Sequence, residues 1–285
     1  MKNHKIIGGG GVDLNVIETG NPEGRPILFI PGFSQSNFAW KHQLNSDLAN
    51  DHRLIAMDLR GHGASGKPAS LEAYTDSKLW ADDVNAVIQT LKLESPILSG
   101  WSYGPLIILD YIRYYGEEQI GGINFVGGIS DLGTEEATAL LTPNILSLVP
   151  GFFSTNVEES VRDLGSLIRL FLAREPTEAE FYFMLGYNVS VPPHVRQALF
   201  SRTLENDDLL TKLKTPLLIS HSVDDKIVHF EAATRIASLV QHAQIHQTAN
   251  LGHAVFWEDP EGFNTRLREF AASLDSRNVD VATAT

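Results

Sequence analysis

Residues Gly100-Trp101-Ser102-Tyr103-Gly104 set a serine between glycines two positions to either side. The pentapeptide closes one apolar run, Pro96-Ile97-Leu98-Ser99, and opens another, Pro105-Leu106-Ile107-Ile108-Leu109. A G-x-S-x-G sequence at a strand-to-helix junction makes a turn too tight for side chains at its flanks. Such a turn lifts the serine hydroxyl clear of the chain as a nucleophile. To attack a carbonyl, that serine needs a base for its proton, a carboxylate to orient the base and N–H donors for the oxyanion that forms.

In a sheet whose strand ends deliver these groups, the chain order is serine, acid, histidine. Of the ten histidines, His253 follows the final strand-like run and precedes the final helix, with Gly252 allowing an exposed turn before it. His62 sits in a glycine-rich loop, and His242 and His246 lack the carboxylate or thiolate partners of a metal site. The acid belongs to His221-Ser222-Val223-Asp224-Asp225-Lys226-Ile227-Val228. Asp225 is preferred because it stands at the turn where the chain re-enters packed structure, with Asp224 and Asp131 as alternatives. The oxyanion donors are expected to be the backbone N–H of Tyr103, at a helix N-terminus, and that of Phe33, in the loop after an early strand. Gly61 to Lys67 matches a phosphate-binding loop by spacing, but Pro68 stands where a magnesium-binding hydroxyl is needed and brings no N–H. No nucleotide site is expected there.

The elements that must hold these residues alternate between strand and helix. Asp13 to Ile17, Ile27 to Ile30, Leu54 to Met57, Ile97 onward, Ile123 to Val126, Pro216 to Ser220 and Ala243 to His246 read as strands. Apolar residues at Leu79, Val84, Val87, Ile88 and Leu91 predict a helix leading into the strand before Ser102. The fold class is therefore α/β, a mostly parallel sheet flanked by helices. Residues 131–213 break the alternation, with several helical segments, no convincing strand and many apolar side chains. A stretch of about eighty residues is too long for a plain loop. It is expected to be a helical cap inserted between core segments 1–130 and 214–275, with 276–285 as a flexible tail.

Lys plus Arg total 22 against 35 Asp plus Glu, a formal net charge of −13 over 285 residues. That acidity argues against nucleic acid and anionic membranes as partners. No apolar run is long enough to span a bilayer, and Ile6-Ile7 runs at once into glycines where a signal peptide would need an apolar core. A cytoplasmic protein is expected. Cysteine is absent, which removes disulfides and thiolate chemistry. No metal and no cofactor are expected, and the sequence leaves monomer or homodimer open.

Together these motifs resemble the α/β-hydrolase superfamily, from about Gly20 to Ala272. Pro31-Gly32-Phe33 resembles its H-G-x oxyanion loop, with Pro31 where the family usually has His. Asp58 to Ser65 resembles its D-x-R-G-x-G-x-S turn, and Asp225 to Val228 with Gly252-His253 resembles its acid and histidine motifs, with His229 where Pro is usual. The resemblance implies a largely eight-stranded sheet with an inserted cap, and Ser102 in place of Asp excludes the epoxide hydrolase and dehalogenase branches. The chain looks most like the capped serine esterases, the haloperoxidase-like perhydrolases and the C–C bond hydrolases. The expected activity is hydrolysis of a small, largely apolar carboxylic ester through an acyl-enzyme. Perhydrolysis, lactone opening and C–C cleavage are alternatives on the same residues, and a small-molecule receptor of the hydrolase fold is the non-catalytic one. Trp101, beside the nucleophile, and Trp257, similar to a tryptophan near the histidine in C–C hydrolases, are the expected substrate contacts.

Overall fold

A computed structural model describes the backbone of residues 1–283 and the side chains of residues 1–274. The expected tail at 276–285 thus lies outside the fully described residues. Eight strands form one sheet: β1 (Lys2–Ile7), β2 (Asp13–Gly20), β3 (Pro26–Ile30), β4 (Arg53–Met57), β5 (Ile97–Trp101), β6 (Gly122–Val126), β7 (Leu217–Ser222) and β8 (Gln244–Thr248), in spatial order β1-β2-β4-β3-β5-β6-β7-β8. β1 and β2 are paired antiparallel, as are β2 and β4, and every other pairing is parallel.

The burial pattern follows from that topology. Strands β3, β5, β6 and β7 are buried along their whole length, because helices cover both faces of a parallel sheet. Near the antiparallel edge, β2 alternates buried and open positions. β1 was not among the expected strands. Its one buried residue is Ile6, so its sequence carries no apolar alternation to announce it.

The register of the central strands assembles one end of the sheet. Ile30 of β3 is opposite Gly100 of β5, and Trp101 is opposite Val126 of β6. The loop after β3 therefore emerges beside the turn after β5. The loops after β7 and β8 emerge at the same end, where parallel α/β sheets gather their ligands. Between β6 and β7 the chain forms six helices: Glu135–Ala139, Pro143–Phe152, Val157–Leu170, Glu178–Val189, Pro193–Phe200 and Asp207–Leu210. This helical segment is stitched to the sheet's loops. Thr142 N–H donates to Ile227 O at 2.9 Å, His229 N–H to Leu140 O at 2.9 Å and Ala254 N–H to Phe171 O at 2.8 Å. Lys226 Nζ adds bonds to Leu172 O and Ala173 O at 3.1 and 2.9 Å.

The Asp58 turn is a brace. Asp58 is buried and accepts from Asn37 N–H at 2.7 Å, Ala64 N–H at 2.9 Å and Asn15 Nδ2 at 2.8 Å. Arg60 forms a fully buried ion pair with Asp83 at 2.7 Å. Among the described residues no helix is long and apolar enough to cross a membrane.

Candidate active site

Ser102 sits between β5 and the helix Gly104–Tyr115 with φ +58°, in the left-handed region that non-glycine residues avoid. Its neighbours allow the strain. A side chain on Gly104 would meet Ile30 O at 2.8 Å, and one on Gly100 would meet the Gly104 carbonyl carbon at 2.7 Å. Ser102 N–H is tied to Val126 O at 2.9 Å, which anchors the turn to the neighbouring strand. Gly32 lies against the serine itself, since a Cβ there would stand 2.9 Å from Ser102 Cβ.

His253, buried in the loop after β8, points Nδ1 at Asp225 Oδ2 across 2.7 Å. Asp225 Oδ1 accepts from the N–H groups of Ile227 and Val228 at 2.8 and 3.0 Å. A second buried histidine, His221, brings Nε2 to 3.1 Å from Asp225 Oδ2 and 3.1 Å from Val228 O. Burial alone would raise the Asp225 carboxyl. The neighbouring His253 and the hydrogen bonds from His221 and His253 overcome it and hold the group well below the usual carboxylate range. Asp225 is thus an ionised, fully hydrogen-bonded partner for one face of His253.

Ser102 and His253 border one apolar cavity of about 50 Å³. Phe33, Tyr103 and Ile129 line it from the sheet side, and Leu167, Phe171 and Phe200 from the helical segment. Phe33 packs edge-on against Phe200, with ring centroids 4.8 Å apart. Neither Phe33 N–H nor Tyr103 N–H donates to an acceptor among the described residues, and both residues flank the serine. The phenol of Tyr103 is occupied elsewhere. It donates to Leu199 O at 3.1 Å, accepts from Arg202 at 3.2 Å and is pushed up to about 12 by burial.

The two alternative acids have other work. Asp224 Oδ2 accepts from Asn250 N–H at 2.7 Å. Asp131 binds Asn206 N–H at 2.7 Å and Arg235 at 2.8 Å, joining the helical segment to the helix Glu231–Leu239. Trp101 and Trp257, the expected substrate contacts, are not among the residues that line this cavity. Trp101 is buried, donates Nε1–H to His253 O at 3.1 Å and packs edge-on against Phe171 and Phe256. It props the histidine loop. Trp257 turns away, donates to Glu180 Oε1 at 3.1 Å and carries Lys41 Nζ 4.4 Å above its ring. Adjacency in sequence to Ser102 or His253 gave no information on which way either ring points. The sequence reading gives His221 no role, although a histidine four residues before the acid, near the end of a fully buried strand, is a usable signal.

Residues 25–260 match the family model described as alpha/beta hydrolase fold. The crystal structure of the esterase RhEst1 from Rhodococcus sp. ECU1013 is similar at 37% identity and a TM-score of 0.91, covering 96% of this chain and 100% of that one. The AB hydrolase superfamily protein YisY of Bacillus subtilis (strain 168) is 28% identical over 267 residues, 88% of this chain and 92% of its own. A non-heme chloroperoxidase of Streptomyces lividans is 25% identical over 284 residues, 92% of this chain and 97% of its own.

Proposed function

The chain belongs to the α/β-hydrolase family, and on that premise we propose that it hydrolyses small, largely apolar carboxylic esters through an acyl-enzyme on Ser102, beneath a cap formed by residues 131–213. Ser102 Oγ attacks the ester carbonyl while His253 takes its proton, and Asp225 holds the imidazolium that results. The tetrahedral oxyanion is received by the Phe33 and Tyr103 amides, the second at a helix N-terminus that favours negative charge. His253 then protonates the departing alkoxide, and the alcohol leaves. Water, deprotonated by the same histidine, attacks the acyl-enzyme and releases the carboxylic acid.

The observation that carries this reading is the 2.7 Å bond from His253 Nδ1 to Asp225 beside a serine at φ +58°, with the serine and histidine on one cavity wall. The lining supports the substrate class. A volume of about 50 Å³ holds a few water-sized groups and suits a short acyl chain. Esterase activity named for the Rhodococcus relative agrees with it. The test is labelling with a fluorophosphonate followed by peptide mass spectrometry. One adduct on Ser102 is expected, formed far more slowly in the His253→Ala variant. Stoichiometric labelling of a different residue, with Ser102 unmodified, contradicts the mechanism.

A second reading is favoured by the Streptomyces lividans relative. In it hydrogen peroxide replaces water as the acceptor of the acyl group and a peracid leaves. Bromide oxidation that depends on both acetate and hydrogen peroxide, and that vanishes with Ser102→Ala, separates it from plain hydrolysis.

A further inference from the structure

The Phe33 amide belongs to a turn that the sheet does not hold alone. Pro31 contributes neither an N–H nor a polar side chain to it. Gln35 N–H closes the turn onto Gly32 O at 3.2 Å. Because the Gly32–Phe33 peptide is trans, fixing its carbonyl toward Gln35 sends the Phe33 N–H the opposite way. The next peptide is fixed by the same residue, whose Nε2 donates to Phe33 O at 3.1 Å. Ser34 completes the turn at φ +61°, a strained position for a serine.

What steadies the turn comes from the helix Glu178–Val189. Gln35 Nε2 also donates to Asn188 Oδ1 at 3.2 Å, and Ser34 Oγ donates to Asn188 O at 3.2 Å. Both partners of the Gln35 amide are oxygens, so its nitrogen must face them. Asn188 is aimed in turn by its own Nδ2, which donates to Met184 O at 2.9 Å. Ser34 and Asn188 are wholly inaccessible to solvent and Gln35 is 1% exposed, so water does not compete for these bonds. Asn188 is not part of the cavity wall.

We propose that Asn188 is a positioning residue for the ester hydrolysis. From the cap it holds Gln35 and Ser34, and through them the turn that aims the Phe33 N–H at the oxyanion. The inference rests on the reading of Ser102 as nucleophile and gives the cap a second task besides enclosing substrate. A donor that meets charge mainly in the transition state governs kcat more than substrate binding. A mispositioned donor therefore lowers kcat while KM barely moves.

The experiment compares Asn188→Ala, Gln35→Met, Ser34→Ala and the Asn188→Ala/Gln35→Met double variant on p-nitrophenyl butyrate, with Ser102→Ala alongside. Gln35→Met keeps the side-chain bulk and leaves the cap helix untouched, so it reports even where Asn188→Ala folds poorly. The first two variants are expected to lose about 10- to 100-fold in kcat with KM within about 3-fold, and Ser34→Ala to lose less. The double variant should fall no more than about 3-fold below the worse single, since the Asn188 side chain reaches the turn through the Gln35 amide that Gln35→Met already removes. Inhibition by a small alkylboronic acid, whose serine adduct carries a tetrahedral oxygen, should weaken in step with kcat/KM. Unchanged kcat, a rise in KM alone, or multiplying losses in the double variant would overturn the role of Asn188. Retained turnover in Ser102→Ala would instead overturn the hydrolase mechanism beneath it.

Discussion

Asp225 uses both carboxylate oxygens, one for two backbone N–H groups and one for two histidines. Asp224, one residue earlier, ties down Asn250 N–H instead. The two acids are therefore separable by kinetics. In a proposed triad of this geometry Asp225→Asn is expected to cut kcat by about 10⁴, because the amide favours the wrong histidine tautomer. Asp224→Ala should change kcat by less than about 10-fold, the scale of a loop contact away from the reacting atoms. Equal losses in both variants would contradict the assignment. A second residue-scale prediction concerns His62, which is buried with Nδ1 on Arg60 O at 2.8 Å and is lowered to about 4 by burial. A histidine depressed in the folded state binds its proton more readily when unfolded. Its contribution is complete above about pH 6.5 and is lost as pH falls toward 4. Urea unfolding should show wild type losing about 2 kcal/mol more than His62→Asn between pH 7 and 4.5. Parallel pH profiles for the two proteins would refute it. The three residues of the proposed triad are legible in the sequence as candidates because each turn leaves a local imprint, glycines near Ser102 and His253 and a turn acid before Ile227-Val228. The Gln35–Asn188 bond, spanning 153 residues, leaves no such imprint.

At the scale of elements, the helix Glu178–Val189 joins the proposed site to helical residues 131–213, and its start is well defined. Thr177 accepts from Glu180 N–H while the Glu180 carboxylate accepts from Thr177 N–H at 2.8 Å, a reciprocal cap for two orphan donors. Glu180 also pairs with Arg174 at 2.7 Å and accepts from Trp257, and these bonds, led by the one from Arg174, hold its carboxyl far below the usual range. Thr177→Ala is expected to cost about 1 kcal/mol in denaturant unfolding. Glu180→Ala should cost more, because it also releases Trp257 Nε1–H. The reverse order would mean that the carboxylate is only a surface charge. Strands β3 to β7 were legible as apolar runs bounded by glycine, proline and aspartate. β1 was not, because an edge strand burying one side chain needs no pattern. Helical residues 131–213 were legible by their lack of strands, while their seams with the sheet were not. Those seams are backbone bonds such as Thr142 N–H to Ile227 O, which any side chain permits.

For the whole molecule, the sheet presents the proposed reacting groups, and helices between β6 and β7 line the cavity beside them. Leu167 lies on the cavity wall and is 2% exposed. Leu167→Ala should enlarge the cavity at a cost of about 2 to 5 kcal/mol in stability. It should also shift the preferred p-nitrophenyl ester toward longer acyl chains, and an unchanged chain-length profile would place the acyl group elsewhere. Specificity was the least legible property of the sequence, since apolar residues in residues 131–213 serve packing and lining alike. The ring of Phe171 lines the cavity whereas that of Trp101, which packs against it at 5.2 Å, does not. Everything proposed for this molecule depends on the hydroxyl of Ser102. The deciding measurement is steady-state hydrolysis of p-nitrophenyl butyrate by purified wild type and Ser102→Ala at pH 7.5. Loss of at least about three orders of magnitude in kcat, with an unchanged unfolding curve, is the predicted result. Turnover by the alanine variant within about 10-fold of wild type would contradict it.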